Sequence, residues 1–326
     1  MRADDLRGFH NVSVLIAGDV MLDEYIMGSV SRISPEAPVP VLDVQSRKHV
    51  LGGAANVAAN VASLGAQATL AGLAALDSAG LTLRELLELC GIESALIDSR
   101  ERCTISKTRI VAGRQQVVRI DHEERAPFAV GLIEEAAERV RGRVGSSQVV
   151  VISDYAKGML TESFCTAVIA EARRLGKPVI VDPKGRDFRK YAGCSVITPN
   201  LGEAARAAEM EIHSEEDVNR AGEALRALLP GTAILVTRGA EGMTLFREGH
   251  KPLTVPTVAR QVYDVVGAGD TVVATLAVAL GAGLGLPDAM HVANVAAGVV
   301  VDKPGTATVT VAEILLHEAI ESRPIS

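Results

Sequence analysis

The sequence predicts an α/β fold of three layers, α/β/α: a mostly parallel sheet between helices, with a small β-sheet lid projecting from it. Three observations predict it. Short continuous Val/Ile runs recur along the chain, and their lack of polar alternation suits strands buried on both faces. Helical patterns separate most of these runs, as crossovers between parallel strands require. Two segments, 25–50 and 104–121, carry β-like runs with no helix to cover a face.

The elements follow in order. Val12–Ala17 is the first strand, ending at Gly18-Asp19. The segment 25–50 holds three prolines and two short β-like runs. A helix over 53–64 stops at Gly65, because glycine tolerates the left-handed conformation that closes helices. Ala68–Leu73 is a strand and 79–90 a helix. Lys107–Val111 and Gln116–Ile120 read as a hairpin about Gly113-Arg114. Helices over 131–143 and 161–175 flank the strand Val149–Ser153. Strands Val179–Asp182 and Val196–Thr198 precede helices 201–209 and 215–229. Ile234–Thr237 is the last core strand, and helices 269–282 and 287–302 follow. Thr271–Leu280 is uncharged on every face, so full burial is expected. The two non-alternating segments are strands of a lid or ordinary surface hairpins.

Composition narrows the function. With 326 residues, 48% hydrophobic and 22% charged, the chain is an ordinary globular sequence. It is expected to form one large domain, 1–326, with the lid formed by about 25–50 and 104–121. Its 33 Lys and Arg against 40 Asp and Glu give −7, with no long basic run, which disfavours nucleic acid and membrane surfaces as partners. Five Phe, four Tyr and no Trp are too few for a base-stacking platform. Cysteines 90, 103, 165 and 194 show no C-x-x-C spacing, so a reducing, cytoplasmic setting fits better than disulfides or zinc. Met1–His10 is charged and has no apolar leader core. Leu51–Leu76 and Thr271–Pro287 lack charge, but Asn, Gln and Gly interruptions read as buried elements rather than membrane spans.

The strongest chemical signal is Asp264-Val265-Val266-Gly267-Ala268-Gly269-Asp270-Thr271. Gly-Ala-Gly leaves backbone N–H groups uncovered at the start of a helix, which suits a phosphoryl group. Asp270 beside that cradle reads as an N-cap or as a base for an attacking hydroxyl. The helix dipole is expected to lower its pKa.

Three further segments are less specific. Gly52-Gly53 opens a helix with a polar stripe of Asn56, Asn60 and Ser63. Asn56 can donate to and accept from sugar hydroxyls, or simply bond a neighbouring loop. Asp23, after the first strand, is an acceptor for polyol hydroxyls or part of an Asx turn. Asn200 and Glu203 form a capping box, or face a Mg²⁺–phosphate assembly through water. Thr237-Arg238-Gly239 could shape a nucleotide pocket. A P-loop and a dinucleotide fingerprint are both missing.

Together these residues resemble the ribokinase (phosphofructokinase-B type) family of sugar kinases. Residues 52–65 match its first signature and Asp264–Asp270 its second, in the right order. A closer resemblance, to the family's kinases of D-glycero-D-manno-heptose 7-phosphate in lipopolysaccharide-core synthesis, is carried by Asp23-Glu24-Tyr25, Ser31–Val41, Leu51–Ala58 and Val181–Gly185. The resemblance implies ATP and Mg²⁺, Asp270 as catalytic base, and Gly267, Ala268 and Gly269 as the anion hole. It implies Asp23, Gly52, Gly53 and Asn56 around the sugar. Asn200, Glu203, Thr237, Gly239, Asp264 and Asn294 would serve the nucleotide, with Glu203 reaching the metal through water. Asn294 also sits on a polar stripe with His291, Gly298 and Asp302 that reads equally as a solvated face. Many members have Thr where this chain has Val265, which puts nearby cation contacts in doubt but leaves the base intact.

Arg102, Lys107, Arg109, Arg119, Lys184 and Arg186 are candidates for the acceptor's phosphate, with Arg109 and Lys184 favoured. The resemblance further implies a homodimer through the lid and, for a kinase-only form, a separate adenylyltransferase. Another sugar kinase of the family and a non-catalytic sugar-binding regulator are the alternatives.

Overall fold

The Val/Ile runs become the core strands of one sheet. The structure, a computed structural model, describes residues 6–113, 115–259, 263–303 and 305–321. Strands β1 (Ser13–Gly18), β4 (Gln67–Ala71), β6 (Glu93–Ser94), β10 (Val149–Ser153), β11 (Val179–Asp182), β12 (Val196–Ile197), β13 (Ala233–Thr237), β14 (Met243–Phe246) and β15 (Leu253–Val255) form it. The order is β15-β14-β13-β12-β11-β10-β1-β4-β6. Pairing is parallel except at β13–β14 and β14–β15. Those two antiparallel strands went unrecognised in the sequence, because Met243–Phe246 is too short to separate from a loop by pattern alone.

Helices cover both faces. On one side α1 (Ala54–Ser63), α7 (Ala268–Gly281) and α8 (Leu286–Val301) pack with Val14 and Ile16. On the other, α3 (Val130–Val144), α4 (Glu162–Arg174) and α6 (Glu215–Leu228) pack with Leu15 and Ala17. Successive β1 side chains point to opposite faces, so one apolar run serves two cores. Helices α2 (Ser78–Leu89), α5 (Leu201–Ala207) and α9 (Val311–Glu321), and the short pair β5 (Leu73–Ala74) and β7 (Ile97–Asp98), complete the body. Residues 270–279 of α7 are all buried, as expected of a helix with no polar face. Among the described residues no helix is long and apolar enough to cross a membrane.

A separate four-stranded sheet has the order β3-β2-β8-β9, from β2 (Val20–Ile33), β3 (Pro40–Gly53), β8 (Ser106–Ala112) and β9 (Gln115–His122). β2 and β3 run 14 residues each, longer than the two short runs expected. Their outer halves are exposed, so no buried face imposes a period on the sequence there. Of the expected Gly113-Arg114 turn, Arg114 lies outside the described residues, as do residues 1–5. β1 passes into β2 through the single residue Asp19, so the two sheets are joined there.

Candidate active site

At the head of α7, Gly267 has φ 82°, and a Cβ there would lie 2.9 Å from Asn56 Nδ2. Glycine is therefore needed both for the turn and for the approach of α1. Among the described residues, the amides of Gly267, Gly269 and Asp270 have no protein acceptor. Ala268 differs from expectation: its amide donates to the Val265 carbonyl at 3.3 Å and closes the turn. The open amides therefore belong to its neighbours.

Asp270 is 7% exposed. Its Oδ2 accepts from Asn56 Nδ2 at 2.6 Å, and its Oδ1 from the Tyr155 hydroxyl at 2.5 Å. Burial raises its pKa to about 6, against the lowering by those two hydrogen bonds. This corrects the expectation of a lowered value. The helix dipole is a modest effect, whereas desolvating a carboxylate is a large one. One turn further along α1, Asn60 donates to the Asn56 carbonyl at 3.0 Å and accepts from Thr271 Oγ1 at 3.0 Å. The polar stripe of α1 thus bonds α7 rather than a loop.

Tyr155 comes from the turn after β10. Asp19 Oδ2 accepts from the amides of Tyr155 (2.9 Å) and Lys157 (3.0 Å), and Asp154 Oδ1 from Ala156 N at 2.6 Å. Asp154 Oδ2 in turn accepts from Lys190 Nζ and the Tyr191 hydroxyl. Ala156 is left at φ 55°, a strained value for a residue with a Cβ. Burial raises the Asp19 pKa to about 6.

Where the small sheet meets the body, Asp23 Oδ1 accepts from Arg109 Nη1 at 2.8 Å, and both residues are buried. Arg109 also lies 5.2 Å from the Tyr25 ring centre, and the Tyr25 hydroxyl is 3.2 Å from Thr306 Oγ1. A Cβ at Gly52 would stand 2.8 Å from Asp23 Oδ2, so glycine makes room for that carboxylate. Gly53 is the N-cap of α1. Arg109 thus bonds the sugar-side candidate Asp23 through one of its nitrogens. Arg102 donates to the Lys157 carbonyl, Lys107 and Arg119 pair with Asp121, and Arg186 has no partner among the described residues.

A second group lies at the ends of β11, β12 and β13. Asn200 and Glu203 form the capping box of α5, and Thr237 bridges Asn200. Lys184 Nζ is 2.7 Å from Glu203 Oε1, which joins Lys184 to this group and not to Asp23. Asp182 has no hydrogen-bond partner for its carboxylate among the described residues, and burial, then Asp270 and Glu203, push its pKa well up. Nothing lies within 4 Å of where a Gly239 Cβ would be, so that turn opens to space. Asp264 accepts from the amides of Val266 (3.0 Å) and Gly305 (3.2 Å). Asn294 is buried and donates to the Pro256 carbonyl at 2.8 Å, and a Gly298 Cβ would meet Val258 at 2.8 Å. Asn294 and Gly298 therefore pack against residues 256–258, whereas Asp302 at the end of that stripe is exposed.

Comparison with known proteins decides the relationship. The profile of the pfkB family carbohydrate kinases matches residues 13–313. The chain belongs to the pfkB family of carbohydrate kinases. The bifunctional protein HldE of Chromohalobacter salexigens is 49% identical over 310 residues, 95% of this chain and 64% of that protein. The HldE of Caulobacter vibrioides is 48% identical, over 94% of this chain and 64% of its own length. This pfkB-family chain thus spans about 64% of the relatives it matches. Phosphofructokinase-2 from Escherichia coli in complex with potassium superposes with TM-score 0.80 at 19% identity, covering 96% of this chain and 99% of that one. Arabidopsis thaliana ribokinase complexed with ribose and ATP gives 0.73 at 22%, covering 94% and 98%. Both likenesses are of the ribokinase-like fold.

In this pfkB-family chain, sequence reasoning missed Tyr155, Asp19 and Asp182 as parts of the site. A signal existed for each. All three stand at or just past the carboxyl end of a parallel strand, where open α/β sheets bind ligands.

Proposed function

We propose that the chain is an ATP-dependent kinase that phosphorylates O1, the anomeric hydroxyl, of D-glycero-D-manno-heptose 7-phosphate. The product is the 1,7-bisphosphate, a precursor for the lipopolysaccharide core. The observation that carries this reading is the Asp270 carboxylate standing beside the open amides of Gly267 and Gly269. In this reading Asp23 and Asn56 hold the sugar hydroxyls, with Gly52 and Gly53 admitting the ring close to backbone. Asp270 takes the proton from O1 as O1 bonds to the γ-phosphorus and the bond to ADP breaks. The open amides stabilise the charge on the moving phosphoryl group. Its pKa of about 6 leaves Asp270 ionised at neutral pH yet a stronger base than a free carboxylate.

Asn200, Lys184, Thr237, Gly239, Asp264 and Asn294 serve the nucleotide. Glu203 already accepts from Lys184 Nζ and from the Asn200 amide, so it suits Mg²⁺ only through bound water, a mode that ion favours. Bound Mg²⁺ would neutralise charge on the nucleotide phosphates. The four-stranded sheet acts as the lid, and closing it excludes water from the transfer. Exposed apolar side chains on that sheet support a homodimer through it. The thiols support a cytoplasmic setting, since all four are free.

A panel of sugars and sugar phosphates, with ADP release as readout, tests the reading. The heptose 7-phosphate should give the highest kcat/KM. A preference for an unphosphorylated sugar would replace the substrate, and sugar binding without ADP from any of them would remove the kinase.

A further inference from the structure

We infer that Tyr155 is the positioning residue of the phosphoryl transfer: its hydroxyl holds Asp270 Oδ1, so that Oδ2 is the atom that receives the acceptor's proton. The inference rests on the kinase reading, with Asp270 as base.

The two bonds to Asp270 differ in how firmly they are held. Tyr155 sits on a turn fixed from four sides. Asp19 takes the amides on either side of Ala156, Asp154 takes the Ala156 amide, and Arg102 Nη1 donates to the Lys157 carbonyl at 3.0 Å. The Lys157 ammonium pairs with Glu123, past the end of β9, at 2.5 Å. A turn held this way carries the strain at Ala156 and keeps the ring from swinging. Asn56 is the looser partner. It is bonded through its side chain alone to Asp270, and its Oδ1 has only a long 3.4 Å contact from Asn60. A carboxylate oxygen has two acceptor positions, so Oδ2 can take a sugar O–H beside or in place of Asn56.

The proton balance agrees. The acceptor O–H bond breaks, its proton goes to Oδ2, and its oxygen pair forms the bond to phosphorus. Tyr155 keeps its own proton, because burial, then the charges of Asp270 and Asp182, hold its pKa well above the usual value. The groups facing Asp270 are few. Asp23 comes from β2 and is paired with Arg109, Asp182 comes from β11 with Lys184 and Glu203 beside it, Tyr155 comes from the turn after β10, and Asn56 from α1 is neutral. Tyr155 is thus the one residue among these described groups, apart from Asn56, that donates to the base.

The test is Tyr155→Phe in the full chain, which keeps the ring and removes the donor. Its Asp270 titration, followed by carboxyl ¹³C NMR without substrates and assigned with Asp270→Asn, should move up by about one pH unit, the scale of a lost charge-assisted hydrogen bond. The acid limb of kcat/KM against pH should move with it, and kcat at pH 6 should fall about fivefold while KM for the sugar changes less than about twofold. Site-specific 3-fluorotyrosine at 155, a more acidic donor, should move the same limb down, and it covers a Phe variant that does not fold. An active wild type whose limb and titration stay fixed in both variants overturns this role alone. A wild type inert towards every sugar overturns the kinase reading and this role with it.

Discussion

The seam between α1 and α7 and the outer half of the four-stranded sheet are built on opposite terms. At the seam polar groups are buried and paired: Asn60 and Thr271 are both 0% exposed and bond each other, and Asn56 bonds Asp270. In the outer sheet apolar groups are uncovered, with Ile33 61% and Ile120 54% exposed. The seam is a device whose geometry is complete within one chain. The outer sheet is a surface whose apolar groups lack a cover. A buried polar network fixes one arrangement because any other leaves a donor unpaired, whereas an exposed strand leaves arrangement to whatever binds it.

Asp270→Asn breaks the seam most severely. Loss of the base should lower kcat by about 10²–10⁴ with little change in sugar affinity. Near-normal ADP release would refute the role. The same variant should be more stable at neutral pH. The folded pKa of about 6 lies above the ordinary value, so the fold binds the proton more tightly than the unfolded chain does. Wild-type stability therefore falls as pH rises from about 4 to about 6, and the Asn variant escapes that loss. Urea melts should show a gain of about 1–3 kcal/mol at pH 7.5 that vanishes near pH 4. A gain independent of pH would mean that the carboxylate is not strained by burial.

Arg109→Met tests the joint between the two regions. It leaves the Asp23 carboxylate buried without its cation, which should destabilise by about 3–5 kcal/mol. Adding Asp23→Asn should recover much of this, because the uncompensated charge is gone. A single variant as stable as the wild type would show that the pair is solvated and the joint loose.

Legibility in the sequence divides along the same line. The body was readable, since strands such as Val149–Ser153 are apolar on both faces and no other element explains them. So was Asp270, because Gly-Ala-Gly before an uncharged helix has few other uses. Tyr155 was not readable: one tyrosine in a turn carries no period, and its meaning comes from Asp19, 136 residues away in sequence. Glu203 and Asn200 were readable as a capping box, yet Lys184, which completes the group, is linked to them only by the adjacency of β11 and β12. The outer strands of β2 and β3 gave no period because neither face is buried.

Gly267→Ala sharpens the seam on a smaller scale. At φ 82° a Cβ costs about 1–2 kcal/mol, and here it also meets Asn56 Nδ2 at 2.9 Å. Thermal melts should show that loss, and kcat should fall more than the sugar KM rises, because the turn that presents the amides is displaced. A variant melting with the wild type would mean that the turn has room to adjust.

The smallest effect on the protomer is expected in the outer sheet, and it is the one that tests whether the sheet has a partner. Val118 and Ile120 are 48% and 54% exposed on β9, the edge strand of its sheet. Val118→Lys with Ile120→Lys places two charges where an apolar contact would form. A free surface tolerates such changes within about 0.5 kcal/mol, so the protomer's urea midpoint should hardly move. If a second copy covers this face, burying those ammonium groups is prohibitive, and light scattering across a dilution series should show monomer where the wild type is dimer. A wild type that is monomeric at every concentration, or a double variant that dimerises as the wild type does, would mean that no second copy uses this face.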